Sequence, residues 1–325
     1  MSENSIQEEH TKLNIPIENT SSTDNNTREG YPFEISIKDA ETVPIKAVSS
    51  LSVQSEKIIQ PIHEGQTSTV WNIIGASVQG TSHIKASIPC QDYHDYQVIA
   101  DQTVIAAVAD GLGSASKSHE GSRIAVDTVL TIITERLKQN QPANKSSWQE
   151  IIKTAFSQAK SELEKCAQAA NCPVREFGTT LSVIVIGTDW LATGHIGDGA
   201  AVVLFEDGNL ETICPPQTGE YVNQTNPLTA VNALEIAQFS VQIKKIQAVA
   251  LFSDGVRHLS INNQNHTPYS PFFNPIFGSL QTITDSFAMS QQLATYLASD
   301  RVCAKTDDDK TLLLVIKKRI EPMKG

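Results

Sequence analysis

Val104-Ile-Ala-Ala-Val-Ala-Asp-Gly111 is a run of six apolar residues, three of them β-branched, that ends on an acidic residue and a glycine. A run this short and this apolar, closed by glycine, reads as a buried strand, which puts Asp110 where the chain leaves the core. The pattern recurs. Trp190-Leu-Ala-Thr-Gly-His-Ile196 precedes Gly197-Asp198-Gly199, Val249-Ala-Leu-Phe-Ser253 precedes Asp254-Gly255, and Leu312-Leu-Leu-Val-Ile316 follows Asp307-Asp308-Asp309. Carboxylates repel one another, and burying several together is costly unless a cation neutralises them. If these strand ends converge, a divalent metal centre is the natural solution. Asp oxygens with ordered water suit Mg²⁺ or Mn²⁺ better than zinc, which usually draws on His and Cys.

The plainer reading of an Asp-Gly pair is a turn, and Asp207-Gly208 within Leu204-Phe-Glu-Asp-Gly-Asn-Leu210 reads as a hairpin connection. Each of the other three pairs taken singly also reads as a turn, so order and flanking residues must decide. Around them the periodicity gives an α+β chain with hairpin-linked strands. Ile124, Ala125, Val129, Ile132, Ile133 and Leu137 recur at helical spacing over 120–139. Ser147-Trp-Gln-Glu150 has the form of a capping box, in which hydroxyl and Glu satisfy orphan backbone donors, and opens a second helix to about Ala170. Strands are expected over 178–214, 235–256 and 311–317, with a helix over 285–299.

In order the chain reads Gln91-Asp92, Asp110-Gly-Leu-Gly113, Gly178-Thr-Thr180, Gly197-Asp-Gly199, Ser253-Asp-Gly-Val256 and Asp308-Asp-Lys-Thr311. Each element is short and weak; the series, at these separations, is specific. It resembles the motif ladder of the 2C-type metal-dependent Ser/Thr protein phosphatases, in their compact bacterial branch, over about residues 70 to 318. Gly219-Glu-Tyr221 with Asn223-x-Thr225 adds to the likeness. The resemblance implies a four-layer α-β-β-α sandwich, two packed antiparallel sheets flanked by helices, with the metal site at one end.

It also implies hydrolysis of phosphoserine and phosphothreonine in proteins by a hydroxide bridging two Mg²⁺ or Mn²⁺ ions. In that scheme Asp110 bridges both ions and the Gly111 carbonyl completes the shell of one. Asp254 and Asp308 hold the other ion, Asp92 acts through bound waters, and Asp198 matches a position that helps hold a third. Phosphoprotein substrates, and a cognate Ser/Thr kinase that makes them, follow as expected partners.

Three departures stand out. Gln91 replaces a frequent Glu. The Arg that in many relatives grips the substrate phosphate would fall on Ser87, leaving Lys85 and His83 as nearby cations. Leu112 stands where eukaryotic members often carry His. His94, His119 and His195 lie near proposed ligands, each either a proton donor to the leaving oxygen or an ordinary polar residue. Two rival functions stay open. One is a metal phosphomonoesterase for a small molecule, since hydroxide attack does not itself select a protein. The other is a pseudophosphatase that binds phosphoproteins with little turnover, which Gln91 and the missing Arg favour and the retained aspartates oppose.

Composition sets the frame. A chain of 325 residues with 40% hydrophobic content can bury one large core. Residues 1–68 differ: they hold 11 acidic and 5 basic residues, prolines at 16, 32, 44 and 61, and no sustained apolar period. Such a segment buries too little apolar surface to offset its ordering entropy and is expected to be a disordered acidic tail. The catalytic domain is expected over 69–320, with a short tail at 321–325. The net charge of −11 argues against nucleic acid, which is bound through clustered Lys and Arg. No signal peptide or apolar span points to a membrane, and five scattered cysteines fit reduced thiols in the cytoplasm.

Overall fold

The computed structural model describes residues 71–99, 103–139, 142, 144–217 and 225–318. The acidic segment 1–68, the tail 321–325, the Gly219-Glu-Tyr221 stretch and Asn223 lie outside the described residues. In chain order the elements are β1 (Trp71–Val78), α1 (Thr81–Ala86), β2 (Asp92–Val98), β3 (Val104–Asp110), α2 (Ser118–Gln139) and α3 (Lys145–Ala169). Then come β4 (Leu181–Ile186), β5 (Trp190–Ile196), β6 (Ala200–Phe205), β7 (Leu210–Cys214), α4 (Ala233–Ile236), β8 (Gln238–Ile243) and β9 (Ile246–Phe252). The chain closes with α5 (Asp254–Ser260), α6 (Ser270–Ser279), α7 (Ser286–Leu297), α8 (Asp300–Cys303) and β10 (Lys310–Lys317).

Two five-stranded antiparallel sheets result, in the orders β1-β10-β9-β6-β7 and β2-β3-β4-β5-β8. Alternate residues of β3 divide between two cores, as the two-residue period of a strand requires. Val104, Ala106 and Val108 face the other sheet, with Val203, Leu251, Leu313 and Val315. Ile105, Ala107 and Ala109 face α2 and α3, meeting Val129, Ile133, Phe156 and Leu163. A third core lies on the far side, where Phe252, Leu312 and Leu314 meet Phe273, Phe277 and Leu297 of α6 and α7. Each central strand is therefore buried on both faces, which explains near-continuous apolar runs in antiparallel sheets that elsewhere alternate.

Most expected elements are present. The Asp207-Gly208 hairpin links β6 to β7, with Gly208 at φ 86°, a left-handed conformation that glycine adopts without steric cost. The start of α3 differs from the capping-box reading. Asn144 is the cap, its side chain accepting from Ser147 N at 2.9 Å, so Ser147 lies inside the helix. Asn is as strong a cap as Ser, and its extended backbone lets the helix begin earlier. Helix α6 carries no clear sequence signal, because Pro271 and Pro275 interrupt an otherwise aromatic segment. Proline in its first turn is tolerated, and burial of Phe272, Phe273 and Phe277 supplies the packing.

Gly255 shows how closely α5 sits on the start of β10. A Cβ there would lie 1.9 Å from the Asp309 carbonyl oxygen, which is backbone and cannot swing aside. Gly255→Ala must push α5 off the strand, at a cost of about 1 to 3 kcal/mol for overpacking. The expected outcome is a lower thermal midpoint by circular dichroism than for Gly278→Ala, where an added Cβ meets nothing within 4 Å. Equal midpoints for the two variants would show that the α5 contact relaxes freely.

Candidate metal centre

Antiparallel register brings the acidic strand ends to one edge of the sandwich. In one sheet Asp92 at the start of β2 stands opposite Asp110 at the end of β3. In the other, Phe252 at the end of β9 pairs with both Ala200 and Leu312. Asp198 before β6, Asp254 after β9 and Asp308 before β10 are therefore neighbours by construction. The β5–β6 turn is tight: Gly197 has φ 119°, and a Cβ there would strike the Thr180 side chain at 2.5 Å. The main chain of Asp110 is clamped as well, its N–H donating to Thr180 Oγ1 at 2.9 Å and its carbonyl accepting from Thr180 N at 2.8 Å.

Asp110, Asp198 and Asp254 each offer an oxygen within 4.8 Å of the other two. Burial, and then the charges of Asp92, Asp254, Asp198 and Asp308, push the Asp110 carboxyl well above the ordinary carboxylate range. Asp254 is pushed up to about 6, again chiefly by burial and then by Asp198 and Asp308, with Arg257 pulling the other way. One oxygen of Asp254, Oδ1, is enclosed and meets no donor among the described residues. An all-oxygen cluster with an orphaned acceptor fits a hard divalent cation such as Mg²⁺ or Mn²⁺, which would supply the missing positive charge.

The remaining expected ligands flank this trio. Asp92 is buried, and burial followed by the charge of Asp309 raises its carboxyl well above the usual range, while Ser253 and Thr311 oppose the rise. Ser253 Oγ donates to Asp92 Oδ2 at 2.6 Å and accepts from Thr311 N at 3.0 Å, so Asp92 is bound across both sheets. Asp308 is more exposed, and its carboxyl is raised by partial burial first. Gly111 is held by its N–H to the Gln91 carbonyl at 3.1 Å. A side chain at Gly111 would meet the Ser118 carbonyl oxygen at 2.7 Å.

The two expected phosphate cations separate. His83 places Nδ1 2.9 Å from Asp309 Oδ2, outside good hydrogen-bond geometry. Lys85 is exposed at the end of α1. That helix abuts the acidic loop, since Ser82 N donates to the Asp307 carbonyl at 3.0 Å. Ser87 caps α1 in a left-handed conformation, φ 56°, and is exposed. Gln91 is buried, its amide oxygen enclosed without a partner among the described residues.

His94 and His195 are core residues. Burial lowers each to about 4, and each sets Nδ1 against a serine hydroxyl, Ser77 at 2.7 Å and Ser182 at 2.8 Å. Both rings are neutral near pH 7, and neither serves there as a proton donor of ordinary strength. His119 is half-buried at the start of α2.

Several residues of the site lay beyond sequence reading. Asp309 accepts from Gly80 N at 2.6 Å and from Gln91 N at 2.5 Å, stitching α1, β2 and β10 together. Thr225 Oγ1 donates to Asp198 Oδ2 at 2.5 Å. Arg257 Nη1 donates to the Asp198 carbonyl at 3.3 Å. Asp309 and Thr225 stood within quoted motifs without a role, and Arg257 left a signal only as a cation one helical turn after Asp254.

Residues 79–298 match the family described as Protein phosphatase 2C. The serine/threonine-protein phosphatase 3 of Escherichia coli K12 is 32% identical over 253 residues, 76% of this chain and 98% of that protein. Among solved structures, the serine/threonine phosphatase Stp1 from Staphylococcus aureus covers 81% of this chain and 100% of its own at 16% identity, with a TM-score of 0.51. PppA of Pseudomonas aeruginosa covers 76% of this chain and 97% of its own at 17% identity, with a TM-score of 0.52. These structures share the four-layer fold.

The raised Asp254 carboxyl gives a pH signature. Its folded value exceeds the unfolded one, so its contribution to stability is fully present below about pH 4 and is lost as pH rises through about 6. In metal-free protein, Asp254→Asn removes that loss and should melt several degrees above wild type at pH 7, a gain of roughly 2 to 3 kcal/mol at most. The gap should close towards pH 4, and Mn²⁺ should reverse the order at pH 7. Parallel melting curves from pH 4 to 7 would remove the electrostatic argument.

Proposed function

The chain belongs to the protein phosphatase 2C family, and from that premise we propose that it hydrolyses phosphoserine and phosphothreonine in proteins with Mg²⁺ or Mn²⁺ at the acidic cluster. The observation that carries the reading is the meeting of Asp110, Asp198 and Asp254 within 4.8 Å in a half-buried setting where, among the described residues, no cation pairs with any of the three carboxylates. Asp110, from the sheet opposite the one that bears Asp198 and Asp254, is suited to bridge two ions. Asp254 and Asp308 would serve one ion, and Asp198, with its carboxylate steadied by Thr225, a further one. Asp92, fixed by Ser253, would orient water, and the Gly111 carbonyl would complete a shell. When bound, such ions supply the Lewis acidity that lets water attack a phosphate ester at neutral pH.

The protein's own share is positional. No nucleophilic side chain is required, and His94 and His195, held neutral by burial, lack the extra proton of an imidazolium. Lys85 is the cation assigned to the substrate phosphate, because His83 already faces Asp309 while Lys85 stands exposed on the helix that abuts the acidic loop. A phosphoprotein substrate implies a Ser/Thr kinase that produces it. Five free cysteines support a reducing compartment such as the cytoplasm, and among the described residues no helix is long and apolar enough to cross a membrane.

Turnover with and without Mn²⁺ tests the reading. Asp110→Asn should lower kcat by about 10³-fold or more on a phosphothreonine peptide, since it weakens ion binding and water activation together. More than a tenth of wild-type kcat in that variant would sink the assignment. Lys85→Ala should raise KM several-fold with little change in kcat, a cost of about 1 to 2 kcal/mol. Faster turnover of a small phosphate ester than of any phosphopeptide would redirect the substrate class.

A further inference from the structure

Two cations stand beside the acidic cluster, and neither is spent on a carboxylate. Arg257 lies one turn after Asp254 on α5, on the same helical face. Its Nη1 donates to the main-chain carbonyl of Asp198 at 3.3 Å. Lys310, the first residue of β10, is wholly buried, and its Nζ donates to the main-chain carbonyl of Asp308 at 3.1 Å. Its stem fills the space beneath the start of α5, where a Cβ on Gly255 would come within 3.2 Å of Lys310 Cγ. No ion pair involves either cation among the described residues.

We propose that Arg257 and Lys310 are positioning residues for the metal centre, each holding the backbone of a ligand-bearing residue while leaving its carboxylate free for an ion. The proposal rests on the metal-centre reading above. Arg257 ties the helix that carries Asp254 to the turn that carries Asp198, so one side chain sets the spacing of two ligands. Lys310 fixes the loop that presents Asp308. Burying an ammonium costs several kcal/mol, and one carbonyl offsets only part of that. Arg257 also acts on Asp254 directly, its charge opposing the rise of that carboxyl. A salt bridge to the carboxylates would have competed with the ion; a bond to the carbonyls does not.

The alternative is a bystander role, and the two differ in sign. A cation that merely sits near the cluster repels Mn²⁺, and its removal should tighten binding. A cation that holds ligands in place should, on removal, weaken binding, by about 10-fold if it behaves like other groups that orient metal ligands. The test is calorimetric titration of the metal-free full chain with Mn²⁺, for wild type, Arg257→Met, Arg257→Lys, Lys310→Met and Asp254→Asn. Expected are weaker binding in both methionine variants, partial recovery in Arg257→Lys, and metal-free melting temperatures that shift little. Equal or tighter Mn²⁺ binding in folded Arg257→Met and Lys310→Met overturns the proposal. If Lys310→Met does not fold, the Arg257 pair decides. A wild type that binds no Mn²⁺, or binds it as well with Asp254→Asn, overturns the metal-centre reading itself and the proposal with it.

Discussion

Asp110, Asp198 and Asp254 bring oxygens within 4.8 Å of one another, and burial already disfavours the negative charges of Asp110 and Asp254. Most of the surrounding structure can be understood as holding this unfavourable group together. The Asp110 main chain is clamped by Thr180, the β5–β6 turn depends on a glycine that fits over the Thr180 side chain, and α5 lies on β10 with no room for a methyl group. None of these contacts relieves the repulsion. They fix its geometry, so that a divalent ion bound there, as proposed, would find its ligands in place and gain from neutralising charge that the fold has concentrated.

Such precision needs a rigid base, and the four-layer arrangement provides one. Central strands buried on both faces by helices and by the opposite sheet have little freedom to slide, because a slip of one residue would exchange the two cores that Val104 and Ile105 separate. The proposed ligands project from strand ends and short turns rather than from long loops. Their positions are therefore inherited from register: Asp92 against Asp110 in one sheet, Ala200 and Leu312 against Phe252 in the other.

The two sheets are joined at the site by polar contacts as well as by apolar packing. Ser253 links Asp92 of one sheet to Thr311 of the other, Thr311 Oγ1 lies 2.7 Å from Ser77 Oγ, and Ser77 meets His94. A buried network of this kind is costly if any member is unsatisfied, so it favours a single relative placement of the sheets. It also explains why His94 is no acid: its ring completes the network and is held neutral by burial.

The sequence by itself determined the central strands, because apolar runs bounded by glycine have few other uses, and it determined that these runs adjoin a carboxylate, after β3, β5 and β9 and before β10. It marked Asp110, Asp198 and Asp254 as candidates, since acidic residues at buried strand ends demand an explanation. What it left open depends on distance through space. Asp198, given by the sequence a subsidiary place, stands in the centre of the trio because β6 lies directly beside β9. His83 faces Asp309, a residue 226 positions away in the chain, through a turn no local pattern describes. Asn144 displaced Ser147 as a helix cap because two adequate caps compete within three residues. The roles of Arg257 and Lys310 were set by tertiary structure alone: a cation's partner is whatever the fold brings within about 3 Å, and local periodicity carries no record of that.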